Sequence, residues 1–120
     1  MREIPRDPER IVHIMDAIER IDKFLQGITY EQFLSDPILY YAIVKNIEIV
    51  GEAAYMLTDS FRKSHPSLEW SMIIRMRHVL VHGYYQLDEE EIWHTATRNI
   101  PEIRPQIATL LEELNKTNIQ

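Results

Sequence analysis

There is no cysteine in this chain, so a disulfide framework, a thiolate nucleophile and a cysteine-bound metal are all excluded. Glycine occurs three times and proline six times in 120 residues, which rules out collagen-like and low-complexity organisation. No glycine-rich loop of the P-loop kind exists, so nucleotide hydrolysis on such a loop is excluded as well. The longest uninterrupted apolar run, Ile38 to Val44, is too short to span a bilayer. The opening Met1-Arg2-Glu3-Ile4-Pro5-Arg6-Asp7-Pro8 is too charged to be the apolar core of a signal peptide. These absences leave the expectation of a soluble, cytoplasmic chain forming a single domain over residues 1–120.

Positive charge is also scarce. Thirteen Lys and Arg stand against nineteen Asp and Glu, a net charge of −6 that on average disfavours a nucleic-acid binder. The distribution is uneven. Between Phe61 and His82 the bases Arg62, Lys63, Arg75 and Arg77 face Glu69 alone, and His65, His78 and His82 fall in the same window. An acidic body with one basic segment can hold a local anion site. For Arg62 and Lys63 the simpler reading is that they cap a helix end.

Apolar residues make up 45% of the chain, enough for a packed core, and they recur at helical spacing throughout. Asp7-Pro8 predicts a helix start, with Ile11, Ile14, Met15, Ile18, Ile21 and Leu25 on one face and Gly27 at the end. A single helical stub is expected around Tyr30 to Leu34. Ser35-Asp36-Pro37 opens a second long helix reaching about Thr58, with an apolar stripe of Leu39, Ala42, Ile43, Ile47, Val50, Ala54 and Leu57. Tyr40, Val44 and Ile49 widen that stripe, which implies contact on two sides, with several helices or with another subunit. Tyr41, Lys45, Glu48, Glu52 and Tyr55 form its polar line. Gly51 inside this helix costs stability, and close approach of a neighbouring backbone would compensate.

After His65-Pro66, Ser67 is expected to cap a third helix that turns Trp70, Ile73, Ile74 and Val81 inward and ends at Gly83. Asp88-Glu89-Glu90-Glu91 reads as a capping box. A fourth helix carries Ile92, Trp93 and Ala96, is bent or restarted at Pro101, and continues its apolar face through Ile103, Ile107, Leu110, Leu111 and Leu114. No strand and no repeat is expected. The fold class is all-α, an antiparallel up-and-down bundle of four to five helices.

The chemistry concentrates in Arg75-Met76-Arg77-His78-Val79-Leu80-Val81-His82-Gly83-Tyr84-Tyr85. An imidazole takes and gives protons near neutrality, and a guanidinium stays charged and grips phosphate oxygens with paired donors. Together they suffice for metal-free RNA cleavage, the imidazole moving protons and the arginine stabilising charge on the pentacoordinate phosphorus. One obstacle is geometric: Arg77 and His82 are five residues apart, roughly 140° around an ideal helix. Either the helix loosens before Gly83 or two copies of the segment face each other. The competing structural reading has His78 and His82 capping the helix end, with Tyr84 and Tyr85 plugging the bundle. His78 and His82 at i and i+4 also suit a metal, with Glu48 or Glu52 as a third ligand, but no His-Glu-x-x-His motif accompanies them and no metal is expected. His13 and His94 lie outside any such constellation.

Arg77-His78-Val79-Leu80-Val81-His82-Gly83-Tyr84 resembles the pattern Arg, four to six residues, His, any residue, Tyr, which marks HepT-like toxins of the HEPN superfamily. Ile47-Glu48-Ile49-Val50-Gly51-Glu52-Ala53-Ala54 is similar to the glycine-glutamate-alanine segment of the family's second long helix, and Trp70 to Arg77 to the approach to its catalytic turn. The resemblance implies a HEPN-like homodimer with a cleft where the Arg and His of both subunits meet. It implies metal-independent endoribonuclease activity with Arg77 and His82 as the catalytic pair, His78 as a supporting polar group, and no cofactor. It further implies a partner, a nucleotidyltransferase antitoxin of the MNT type, that transfers AMP to Tyr84 and so blocks the cleft to RNA. The alternative is a non-catalytic helical module that docks such a transferase or binds nucleotide or RNA.

Overall fold

A computed structural model describes residues 6–81 and 88–119, with side chains described for residues 6–77 and 88–116. The described residues form helices joined by short turns, with no strand among them. These are α1 (Asp7–Phe24), α2 (Tyr30–Ser35), α3 (Pro37–Tyr55), α4 (Asp59–Ser64), α5 (Trp70–Val81), α6 (Glu89–His94), a π-helical turn (Thr95–Asn99) and α7 (Ile100–Ile119). The expected all-α class holds. None of these helices is long and apolar enough to cross a membrane.

The four long helices pack side by side in the order α7–α1–α3–α5. Contacts fix the polarity of two of these pairs. At the start of α1, Asp7 accepts hydrogen bonds from the backbone N–H of Thr58 at 3.0 Å and its hydroxyl at 2.7 Å, just past the end of α3. Near the other end of α1, the Arg20 guanidinium reaches Asn46 Oδ1 at 3.4 Å. So α1 and α3 are antiparallel. Asp22, late in α1, meets Arg104, early in α7, at 3.1 Å, which makes that pair antiparallel too.

The core forms where the apolar stripes meet. Ile11, Ile14, Ile18 and Ile21 of α1, Ile43, Ile47 and Val50 of α3, Ile73 of α5 and Ile107 of α7 are all essentially inaccessible to water. Each such side chain contributes about 1.5–3 kcal/mol relative to exposure. The breadth of the α3 stripe is taken up within the chain: the helix packs on α1, α5, α2 and the π-helical turn. Tyr40, one of its widening residues, lies against Phe33 of α2 with ring centroids 5.1 Å apart, and Phe33 in turn meets Trp93 at 5.2 Å.

Several helix ends depart from expectation, each for a local reason. Asp7 is the first helical residue of α1 rather than its cap, because its carboxylate is engaged by Thr58 while Arg6 takes the cap position. Gly27, after α1, has φ +72°, the left-handed conformation its place predicted. Asp36 caps α3 by accepting from the Leu39 N–H at 3.1 Å. That helix stops at Tyr55 instead of Thr58, since Thr58 caps a further short helix, α4, by accepting from the Phe61 N–H at 3.2 Å. Arg62 and Lys63 lie in the last turn of α4, the helix-end role read for them. Ser67 does not cap α5, which begins at Trp70. The intervening turn is held by the His65 carbonyl, which accepts from the Trp70 indole N–H at 2.9 Å. Asp88 caps α6 as expected, accepting from the Glu91 N–H at 3.1 Å. Pro101, lacking an N–H, breaks the helical ladder, and the chain passes through the π-helical turn before restarting at Ile100.

Candidate active site

The sequence places its chemistry on α5, and α3 is the helix that surrounds it. Gly51 makes that possible. A Cβ built on Gly51 would lie 2.9 Å from Arg77 Cβ and 3.0 Å from Arg77 N, so only glycine lets α3 meet α5 this closely. The close approach expected for Gly51 is therefore present, and its counterpart is the backbone of Arg77.

Two α3 side chains then organise the Arg77 guanidinium. Glu52, next to the glycine, accepts from Arg77 Nη1 through Oε2 at 2.7 Å. Tyr55, one turn later on the same face, lies beneath the guanidinium, whose Cζ is 3.8 Å from the ring centroid. The Arg77 side chain is 22% exposed and Glu52 55%. A pair so open to solvent contributes at most about 1 kcal/mol to stability. The cation–π contact adds about 0.5–1 kcal/mol at an exposed site. The value of this arrangement lies in orientation. An arginine carries five N–H donors; among the described residues Glu52 takes one of them, which leaves others on the guanidinium edge to bind an anion while its face stays on the ring.

Charge in this region is more balanced than the local surplus of bases suggests. Arg77 faces Glu52, and Arg62 meets Asp59 at 2.6 Å. Of the two glutamates considered as a third metal ligand, Glu52 is engaged by Arg77 and Glu48 by Lys45 at 3.0 Å. No group of three or more His, Asp or Glu suited to a metal occurs among the described residues. His13 and His94 are exposed on α1 and α6.

Of the sequence-predicted site residues, Arg77 is placed in full. His78 continues α5 in the next position, but its side chain lies outside the described residues. His82, Gly83, Tyr84 and Tyr85 also lie outside them. Glu52 and Tyr55 are the additions from the structure. Both stand in the polar line of α3, where spacing alone did not single them out as partners of Arg77.

The sequence profile of the family described as Ribonuclease HepT-like matches residues 14–110, from within α1 to about the middle of α7. The chain belongs to this family. Its HepT-like relatives include a protein of Caldanaerobacter subterraneus subsp. tengcongensis named as an RNase. That protein is 36% identical over 101 residues, covering 84% of this chain and 90% of the relative. A protein of Thermococcus cleftensis named as ribonuclease HepT is 35% identical over 91 residues, or 76% of this chain and 83% of that one. A Methanocaldococcus jannaschii protein named for both gamma-glutamylcyclotransferase and RNase is 31% identical over 104 residues. The match covers 87% of this chain and 47% of the relative. No solved structure matches. The HepT-like match takes in α3 and α5, and with them the Gly51–Arg77 contact.

Proposed function

We propose that this HepT-like protein is a metal-independent endoribonuclease, the toxin of a toxin–antitoxin pair, acting as a homodimer whose two Arg77–His82 segments share one cleft. The observation that carries the reading is the Arg77 guanidinium, held by the Tyr55 ring at 3.8 Å and Glu52 at 2.7 Å, with donors that no other described residue engages. Family membership and relatives named as RNases support it.

The chemistry is transesterification. One His82 imidazole removes the proton from a ribose 2′-hydroxyl, whose oxygen attacks the adjacent phosphorus. Arg77 stabilises the charge of the pentacoordinate state, a protonated imidazole gives its proton to the departing 5′-oxygen, and a 2′,3′-cyclic phosphate remains. Two subunits supply two imidazoles, and they remove the roughly 140° separation that one straight helix imposes. His78 supports the cleft as a polar neighbour. AMP placed on Tyr84 by an MNT-type nucleotidyltransferase adds bulk and a negative phosphodiester beside the arginine, excluding RNA by volume and charge.

The decisive experiment is cleavage of single-stranded RNA in EDTA by the unmodified protein and its Arg77→Ala and His82→Ala variants. Loss of a charge-stabilising donor costs about 10²–10³ in rate and loss of a general acid–base about 10²–10⁴. Variants as active as the parent overturn the catalytic assignment. A parent that binds RNA without cutting it is a binding module instead.

A further inference from the structure

Resting on the ribonuclease reading, we propose that Tyr55 is a base-stacking platform: its exposed ring holds a nucleobase of single-stranded RNA beside the phosphate that Arg77 binds. Tyr55 sits in the last turn of α3 and is 49% exposed although it is a large aromatic residue. Arg77 covers one part of the ring, its Cζ 3.8 Å from the centroid. A ring with a cation over one face, in a residue still half exposed to water, is a ready surface for a second flat, polarisable group. The neighbouring groups suit a nucleotide. The guanidinium edge offers donors to a phosphate, and the ring lies directly against that guanidinium. One nucleotide can therefore reach both, its phosphate on Arg77 and its base on Tyr55.

This division of labour fits an acidic protein. With a net charge of −6, and with Arg77 partly countered by Glu52, little affinity comes from phosphate contacts alone. Stacking is indifferent to net charge and to base identity, and it requires a base free of its duplex partner. Single-stranded RNA is thus the substrate class the site favours over duplex.

The test is equilibrium binding of a 2′-O-methyl oligoribonucleotide, which cannot be cleaved, carrying 2-aminopurine as a fluorescent base. Tyr55→Phe and Tyr55→Trp retain binding and the quenching that stacking produces. Tyr55→Leu, aliphatic and unable to stack, binds about 5- to 150-fold more weakly and loses the quenching. A matched oligonucleotide with an abasic residue in place of the 2-aminopurine separates stacking from support of Arg77: Tyr55→Leu weakens its binding less than that of the base-bearing ligand, because only the support of Arg77 is then lost. If Tyr55→Leu weakens the abasic ligand as much as the base-bearing one, or leaves both affinity and quenching unchanged, the platform is refuted. A parent with no affinity for single-stranded RNA refutes it as well. Cleavage of unmodified RNA by the parent, measured in parallel, reports on the ribonuclease reading independently.

Discussion

Replacing Gly51 with alanine sets two effects of opposite sign against each other, and the structure decides between them. Within a helix, glycine is about 1 kcal/mol less favourable than alanine, so propensity alone makes Gly51→Ala stabilising. The new methyl, however, would sit 2.9 Å from Arg77 Cβ, 3.0 Å from Arg77 N and 3.4 Å from Arg77 Cα. Carbon atoms pack best at about 3.5–4.0 Å, so the shortfall at Arg77 Cβ is over half an ångström, against an atom that cannot rotate away. Overpacking of this kind costs about 1–3 kcal/mol. Backbone and Cβ contacts without a flexible side chain to yield belong toward the upper part of that range. The net expectation is destabilisation by about 1–2 kcal/mol. For a domain of this size that lowers the melting temperature by roughly 3–10 °C, read by circular dichroism. Pushing α5 from α3 also displaces Arg77 from Tyr55 and Glu52, so RNA cleavage falls further than stability does. Gly27→Ala is the control: it meets no atom within 4 Å but must hold φ +72°, so it loses about 1 kcal/mol of stability and leaves cleavage unchanged. A Gly51→Ala protein that melts at or above the parental temperature would refute the close helix contact and the site geometry built on it.

Glu52→Gln keeps the side chain's shape but removes the charge opposing Arg77; it changes stability by no more than about 1 kcal/mol and tightens binding of uncleavable RNA at low salt, whereas weaker binding would count against electrostatic competition. Burial, followed by the Glu89 carboxylate, raises the Tyr40 phenol above its ordinary value of 10.0. Its contribution to stability is full below that unfolded-state value and is lost as pH rises through the folded one, so denaturant titrations above pH 10 show a shallower alkaline decline in Tyr40→Phe than in the parent.

The long helices were legible because each carries its apolar residues at helical spacing over several turns, and Ile11, Ile14, Ile18 and Ile21 of α1, Ile43 and Ile47 of α3, and Ile103 and Ile107 of α7 are buried as their positions implied. Short elements were harder. The six-residue α4 offers too few positions for a periodic pattern, and its cap, Thr58, reads equally well as the tail of α3. The π-helical turn depends on how Pro101 interrupts the backbone ladder, which periodicity does not register. At the site, Arg77 was identifiable from its chemistry and Gly51 from its cost to a helix. Their meeting was not, because it depends on how α3 and α5 align. Glu52 and Tyr55 stand with Tyr41, Lys45 and Glu48 in one polar line, and only the packing of α5 separates those that touch Arg77 from those that face water.

The arrangement ties the stability of the helical row to the readiness of its arginine. Gly51, Glu52 and Tyr55 lie within the last two turns of α3: the first admits the α5 backbone, the second meets the guanidinium tip and the third supports its face. None of the three orients Arg77 unless α3 and α5 are packed, and the core residues Val50 and Ala54 that flank them are fully buried in that packing. A long side chain on an exposed helix face samples many rotamers, at a cost of about 2 kcal/mol of rotamer entropy when it is fixed. Here contacts made on folding restrict it before any phosphate arrives. In the proposed ribonuclease reaction, preorganisation of that kind would lower the cost of charge stabilisation in the transition state. It also explains why an ion pair of small energetic worth sits where it does: Glu52 adds little to stability, but with the Tyr55 ring it fixes the direction in which the remaining donors of Arg77 point.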